Sequence, residues 1–190
     1  MSNNLLSCRC AWEQMTEASQ QHSVRNYTQN LDMSNFLVET DVFPEEVLVA
    51  YSAYNMEIEL SAEQKAFMNA NRGGAQGDYR DGMAAKIANV VDCLTNFPQS
   101  KRAIITVSNE PMPDHSSDDD AKCVRELQVY LDDDGNLSGT VFLRAQAAFL
   151  FPKNIHMLGS IMSAIAQRLP GKPKLGELFY LAGILVADRS

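Results

Sequence analysis

Basic residues are in short supply in this 190-residue chain, where 16 Lys and Arg face 24 Asp and Glu and leave a formal charge of −8. Affinity for a nucleic-acid backbone comes from the counterions that Lys and Arg displace, so DNA and RNA are not expected partners. Long apolar runs are missing as well. The stretch 141–166 is broken by Arg144, Pro152, Lys153 and Asn154, short of the roughly 18 uninterrupted residues of a membrane helix, so no membrane span is expected. Cysteine occurs only at 8, 10, 93 and 123. Cys8-x-Cys10 with His22 lacks further ligands at zinc spacing, and no metal is expected. The opening MSNNLLS is neither charged nor apolar in the manner of a leader, which with so few cysteines points to free thiols and a cytoplasmic location. Gly73, Gly74 and Gly77 do not form the G-x-G-x-x-G loop of dinucleotide binders. Trp12 stands alone and is expected to pack an N-terminal helix.

What is present is an ordinary core-forming composition, 45% hydrophobic, enough for one domain over 1–190 that folds without disulfide or metal. Charge is uneven along it. Residues 110–134 carry nine acidic and two basic side chains, whereas 135–190 carry two acidic and six basic. The acidic block opens with EPMPDHSSDDD (110–120), whose prolines, serines and aspartates read as an exposed loop. His115 and the surrounding aspartates are expected to be solvated there.

Helices are expected over 44–57 and 61–71, the second with Ser61 as N-cap and Gln64 closing a capping box. The spacing of Met83, Ile87, Val90, Val91 and Leu94 predicts a helix over 83–96 that Pro98 stops. The β-branched run RAIITVS (102–108) suits a buried strand. Residues 124–131 and 137–143 alternate with period two around Asp134–Gly135, the pattern of a β-hairpin. A core helix is expected over 154–169, with Asn154 as its N-cap and Pro170–Gly171 as its stop. Helices mixed with an antiparallel hairpin give an α/β (α+β) class.

The hairpin has a chemical consequence. A two-residue turn at Asp134–Gly135 sets Cys123 opposite Gln146 and places Arg144 one diagonal step away on the same face. A guanidinium beside a thiol favours the thiolate, the form a nucleophilic cysteine requires. The plainer alternative is a small half-buried Cys123 beside a surface Arg144.

Five segments then occur in a telling order: AKIANVVDCLTNFPQSKR (85–102) ending in a basic pair; AIITVSNEP (103–111); KCVRELQVYL (122–131) with Gln128 five residues after Cys123; LRAQAAFLFPKNI (143–155); and LGELFYLAG (175–183). Together, over 85–183, they resemble the thymidylate synthases, the family that includes the pyrimidine nucleotide hydroxymethylases. The matching features are that family's helix, twin arginines and Asn-x-Pro strand end, its Cys-His-x-x-x-Gln, its Arg-Ser-x-Asp and Pro-x-Asn-Ile, and its Val-Gly-Asp-Phe.

The resemblance implies a thymidylate-synthase-like mixed sheet with flanking helices and a homodimer with its sheets back to back. It implies that Cys123 adds to C6 of a pyrimidine nucleoside monophosphate so that C5 takes a one-carbon unit, with methylenetetrahydrofolate as the family's donor. Arg144 corresponds to the residue that holds the phosphate and supports the thiolate. Lys101 and Arg102 resemble the pair that reaches the partner's phosphate, with a solvated helix C-terminus as their alternative reading. Gln128 would organise the cysteine strand and the subunit interface. Asn154 resembles the asparagine that reads O4 and N3–H of uracil, the alternative being an N-cap alone.

Several family residues are replaced. Val124 follows the cysteine where the family has histidine, and Ala145–Gln146–Ala147 stand in place of Ser-x-Asp, whose aspartate helps hold folate. Residues 184–190, ILVADRS, lack the ribose-contacting histidine and tyrosine, and the family's C-terminal lid has no counterpart. Residues 1–84 show no match to the remaining phosphate arginine or catalytic glutamate, for which Glu57 and Glu59 are unplaced candidates. Two functions are therefore expected as alternatives: a C5 methyl- or hydroxymethyltransferase acting on a uridylate-type nucleotide, and a catalytically degenerate relative that binds nucleotide or a protein partner.

Overall fold

Period-two and period-3.6 segments of this chain settle against each other as one mixed sheet with helices on one of its faces. The structure, a computed structural model, describes residues 5–67, 78–107, 112 and 122–188; the acidic loop other than residue 112, with His115, and Gly73–Gly77 lie outside the described residues. In chain order the elements are β1 (Leu5–Ser7), α1 (Cys8–Ser19), β2 (Val24–Asp32), α2 (Glu45–Asn55), α3 (Ala62–Phe67), α4 (Met83–Asn96), β3 (Ile104–Thr106), β4 (Val124–Leu131), β5 (Leu137–Leu143), β6 (Gln146–Ala147), α5 (Phe151–Arg168) and β7 (Leu175–Val186). A short 3-10 turn, Ala148–Leu150, leads into α5.

The strands run in the order β1-β2-β7-β5-β4-β3, with β6 paired to β7. β5 and β7 are parallel, joined by α5 as a crossover. The hairpin β4–β5 is antiparallel and has the expected residue bounds. Alternation along it sends Leu127, Val129, Val141 and Leu143 into the core with Leu178, Tyr180 and Ala182 of β7. Helices α1, α4 and α5 cover that face through Ala11, Met15, Met83, Ile87, Val90, Ile155, Leu158 and Met162. The opposite face carries Tyr130 and Phe142, which are 39% and 43% exposed, with Gln128 and Thr140 paired across the strands between them.

Local sequence signals account for most of these boundaries. Ser61 Oγ accepts from the Gln64 amide while Gln64 Oε1 accepts from the Ser61 amide, closing the expected capping box. α4 spans the expected residues. Trp12 lies on α1 and packs against the core.

Two expectations need correction. The hairpin connection has three residues, not two. Asp132 N donates to the Asn136 carbonyl, and Gly135 adopts φ 79° in the left-handed region, so Asp133, Asp134 and Gly135 form the loop and Gly supplies the positive φ it needs. α5 begins at Phe151 with Pro152 in its first turn and Leu150 at the cap position. Proline suits a first helical turn because the amide it lacks has no partner there anyway. Asn154 is consequently inside the helix and is not its N-cap.

Candidate functional site

The hairpin ends bring Cys123 and Arg144 together. Cys123 immediately precedes β4 and Arg144 immediately follows β5, and the Arg144 amide donates to the Cys123 carbonyl at 2.7 Å. The longer loop shifts the pairing by one residue, and an irregularity between Val124 and Glu126 shifts it by one more. Cys123 therefore faces Arg144 directly, with Gln146 no longer opposite. Arg144 Nη2 lies 3.8 Å from Cys123 Sγ, in position to donate to the sulfur.

Two buried phenols that sequence reasoning did not single out, Tyr51 and Tyr180, lie within electrostatic reach of Cys123. Tyr51 on α2, Tyr79 ahead of α4 and Tyr180 on β7 are all buried. Burial pushes the Tyr51 and Tyr180 phenols well above their usual range, and the neighbouring Tyr79 and Cys123 act in the same direction on both. Their hydroxyl groups thus stay protonated and remain hydrogen-bond donors within electrostatic reach of Cys123. Tyr79 is held there through its backbone. Asn55 Oδ1 accepts from the Tyr79 amide at 2.7 Å, and Asn55 Nδ2 donates to the Tyr51 carbonyl at 2.9 Å, so one buried amide fixes both tyrosine segments.

Asn154 lies in the first turn of α5 and donates through Nδ2 to Gln146 Oε1 at 2.8 Å. The same Oε1 accepts from Tyr180 Oη, and Gln146 Nε2 donates to the Ala147 carbonyl. Tyr180 therefore belongs both to the surroundings of Cys123 and to the amide pair of Gln146 and Asn154. Lys153, one residue earlier, is 1% exposed, with Nζ 4.2 Å from the centre of the Tyr51 ring, a cation–π placement. His156, two residues after Asn154, shares a 2.7 Å hydrogen bond with Ser52 of α2 and packs edge-to-face with the Phe36 ring. Burial lowers its imidazole to about 4, so it is neutral at physiological pH. A Cβ on Gly159 would overlap the Phe36 ring; the glycine makes room for that contact.

Lys101 and Arg102 are not part of this group within one chain. Both are exposed, on the connection between α4 and β3, beside an open depression of 630 Å³ lined by residues 96–102. Gln128 Nε2 donates to the Lys101 carbonyl at 2.9 Å and ties the pair to β4 five residues from Cys123, a strand distance of about 17 Å. Glu57 Oε2 accepts from the Ala84 amide at the start of α4, and Glu59 is exposed; no described interaction links either to Cys123. Cys8 is buried, and desolvation pushes its thiol up to about 12, which leaves it unreactive.

No family model and no curated protein matches the sequence. Solved structures do match. Thermostable thymidylate synthase A from Bacillus subtilis aligns with a TM-score of 0.59 at 16% identity, over 94% of this chain and 79% of that one. Thymidylate synthase from T4 phage aligns with a TM-score of 0.60 at 14% identity, over 85% of this chain and 66% of that one. The chain has a thymidylate-synthase-like fold. At these identities the likeness is one of fold, and what the site does is a separate question of chemistry. The thymidylate-synthase-like sheet nonetheless agrees with the class expected from the mixture of hairpin and helices.

The position expected to help hold folate is Ala147, a small side chain 9% exposed on β6. It offers no carboxylate to a pterin, so this element of the site does not fit methylenetetrahydrofolate.

Proposed function

We propose that this protein binds a uridylate-type pyrimidine nucleoside monophosphate and adds the Cys123 thiolate to C6 of its base, the entry step to C5 methyl- or hydroxymethyl-transfer. The observation that carries this reading is the contact between Arg144 Nη2 and Cys123 Sγ, on a fold that hosts thymidylate synthases. In the addition, a sulfur lone pair forms the S–C6 bond while the C5=C6 π pair moves to C5 and is delocalised onto O4. A donor near O4 stabilises that charge, a role open to the amide of Asn154. Arg144 serves the phosphate and, through the same guanidinium, the sulfur. The one-carbon donor is left open, because Ala147 removes one of the folate contacts.

The test is adduct formation with 5-fluoro-dUMP, with and without methylenetetrahydrofolate, read by intact mass. Fluorine at C5 blocks the final elimination and retains the adduct. A mass gain present in the wild type and lost in Cys123→Ala is the expected result. Reversible nucleotide binding without any adduct would favour the second reading, a catalytically degenerate relative. That reading is motivated by Val124 and Ala147 standing where the family has histidine and aspartate.

Homodimerisation through the open sheet face belongs to the same proposal. Tyr130 and Phe142 expose aromatic surface there, flanked by Phe179 and Leu181 of β7, which pair alongside Thr140 and Phe142. A second copy laid back to back buries this strip and lets Lys101 and Arg102 serve the partner's site, which their distance from Cys123 in one chain otherwise prevents. Phe142→Glu would then set unpaired charges against each other in the interface, and sedimentation should show the monomer mass in place of the dimer's. A wild-type monomer at tens of micromolar sinks the interface.

A further inference from the structure

Gln146 is 1% exposed, and every one of its described bonds has a fixed sense. Its Nε2 donates to the Ala147 carbonyl, and a backbone carbonyl can only accept. That bond sets which way the Gln146 amide faces. Oε1 must then point to Asn154 and Tyr180, where it accepts from Asn154 Nδ2 at 2.8 Å and from Tyr180 Oη. A rotated Asn154 would set its Oδ1 against Gln146 Oε1, two buried acceptors with no hydrogen between them, at the cost of a desolvated and unpaired group. The orientation fixed by Ala147 is thus passed through Gln146 to Asn154.

We infer that Gln146 is a positioning residue that locks the Asn154 amide and thereby sets the base preference of the site. The inference rests on the nucleotide reading above. Among the described residues, Asn154 keeps one Nδ2 hydrogen and its Oδ1 outside the bond to Gln146. A donor beside an acceptor in a set order matches O4 and N3–H of uracil. It opposes N4–H₂ and N3 of cytosine, whose donor and acceptor are exchanged. A freely rotating asparagine suits either base by turning over; the locked one does not. Discrimination arises because the wrong base can be accepted only by breaking a buried hydrogen-bond chain.

The experiment measures Kd for dUMP and dCMP by calorimetry on the wild type, Gln146→Met, Gln146→Asn and Gln146→Glu, each checked for folding by circular dichroism. Methionine keeps the length and removes the acceptor, and asparagine withdraws the amide by one methylene. Two routes to the same loss guard against one variant failing to fold. Glutamate keeps the shape, and burial favours its protonated form, which can donate to Ala147 and accept from Asn154. The wild type is expected to prefer dUMP by roughly 30- to 100-fold. That ratio should fall to within about threefold in Gln146→Met and Gln146→Asn and be retained in Gln146→Glu. An unchanged ratio in folded Gln146→Met or folded Gln146→Asn overturns the lock while leaving nucleotide binding intact. Wild-type protein that binds neither nucleotide removes the functional reading and this inference with it.

Discussion

Replacing Arg144 with methionine is expected to weaken dUMP binding by about 100-fold, whereas Cys123→Ser should leave binding within a few fold and abolish the 5-fluoro-dUMP adduct. The two residues lie 3.8 Å apart, so a disturbance that merely loosened the hairpin end would affect both variants alike. Their chemistry separates them. Losing a charge-assisted contact to phosphate costs about 3 kcal/mol, or roughly two orders of magnitude in Kd. Methionine fills much of the arginine stem, which limits the packing loss. Serine keeps the size of cysteine and makes a much poorer nucleophile toward C6. Calorimetry with dUMP and intact mass with the fluorinated nucleotide read the two effects independently. Equal binding by Arg144→Met and wild type would remove Arg144 from the phosphate, and an adduct on Cys123→Ser would remove Cys123 from the nucleophile's role.

Acidification should destabilise the protein through His156. The residue is 7% exposed, and burial lowers its imidazole to about 4 in the fold, against about 6.5 in an unfolded chain. Between those values the unfolded chain binds a proton that the folded one refuses, so stability falls as pH drops from 6.5 toward 4, by about 3 kcal/mol at the lower end. Carboxylates add their own pH dependence, which comparison with His156→Asn subtracts. Desolvation is the cause of the lowered value, so Ser52→Ala, which removes only the hydrogen bond at 2.7 Å, should keep the slope. Urea unfolding at pH 7, 5.5 and 4 measures all three proteins. A His156→Asn slope parallel to wild type would show that the imidazole is protonated without penalty.

The pairing of Cys123 with Arg144 was legible in the sequence because both residues belong to one hairpin, where period two and a turn glycine constrain geometry over a short span. At Cys123 the expected pairing is nevertheless two residues out, one from the loop and one from the irregularity after Val124. Nothing in DDDGN alone distinguishes a two-residue turn from the three-residue loop that forms, in which Asp132 Oδ1 accepts from the Asp134 and Asn136 amides. Both arrangements satisfy the local backbone.

The three tyrosines and Asn55 were not legible. They come from α2, the approach to α4, and β7, so their convergence depends on how helices dock on the sheet, which local periodicity does not encode. Lys153 and Gln146 did leave a trace as polar residues within an apolar stretch, where burial demands partners. Asn154 reads as an N-cap in the sequence because the apolar stripe starts there, whereas Pro152 lets the helix begin earlier.

The parallel pairing of β5 with β7 carries a consequence of its own. A crossover between parallel strands must start its helix at the end where the first strand finishes, so α5 opens within seven residues of Arg144. No side chain caps that opening, and the aligned peptide dipoles of an 18-residue helix place about half a positive charge there. The hairpin end that carries Cys123 and Arg144 thus lies close in sequence to a positive helix end within a chain of negative overall charge, and that local potential belongs to the topology and survives changes in the side chains around it.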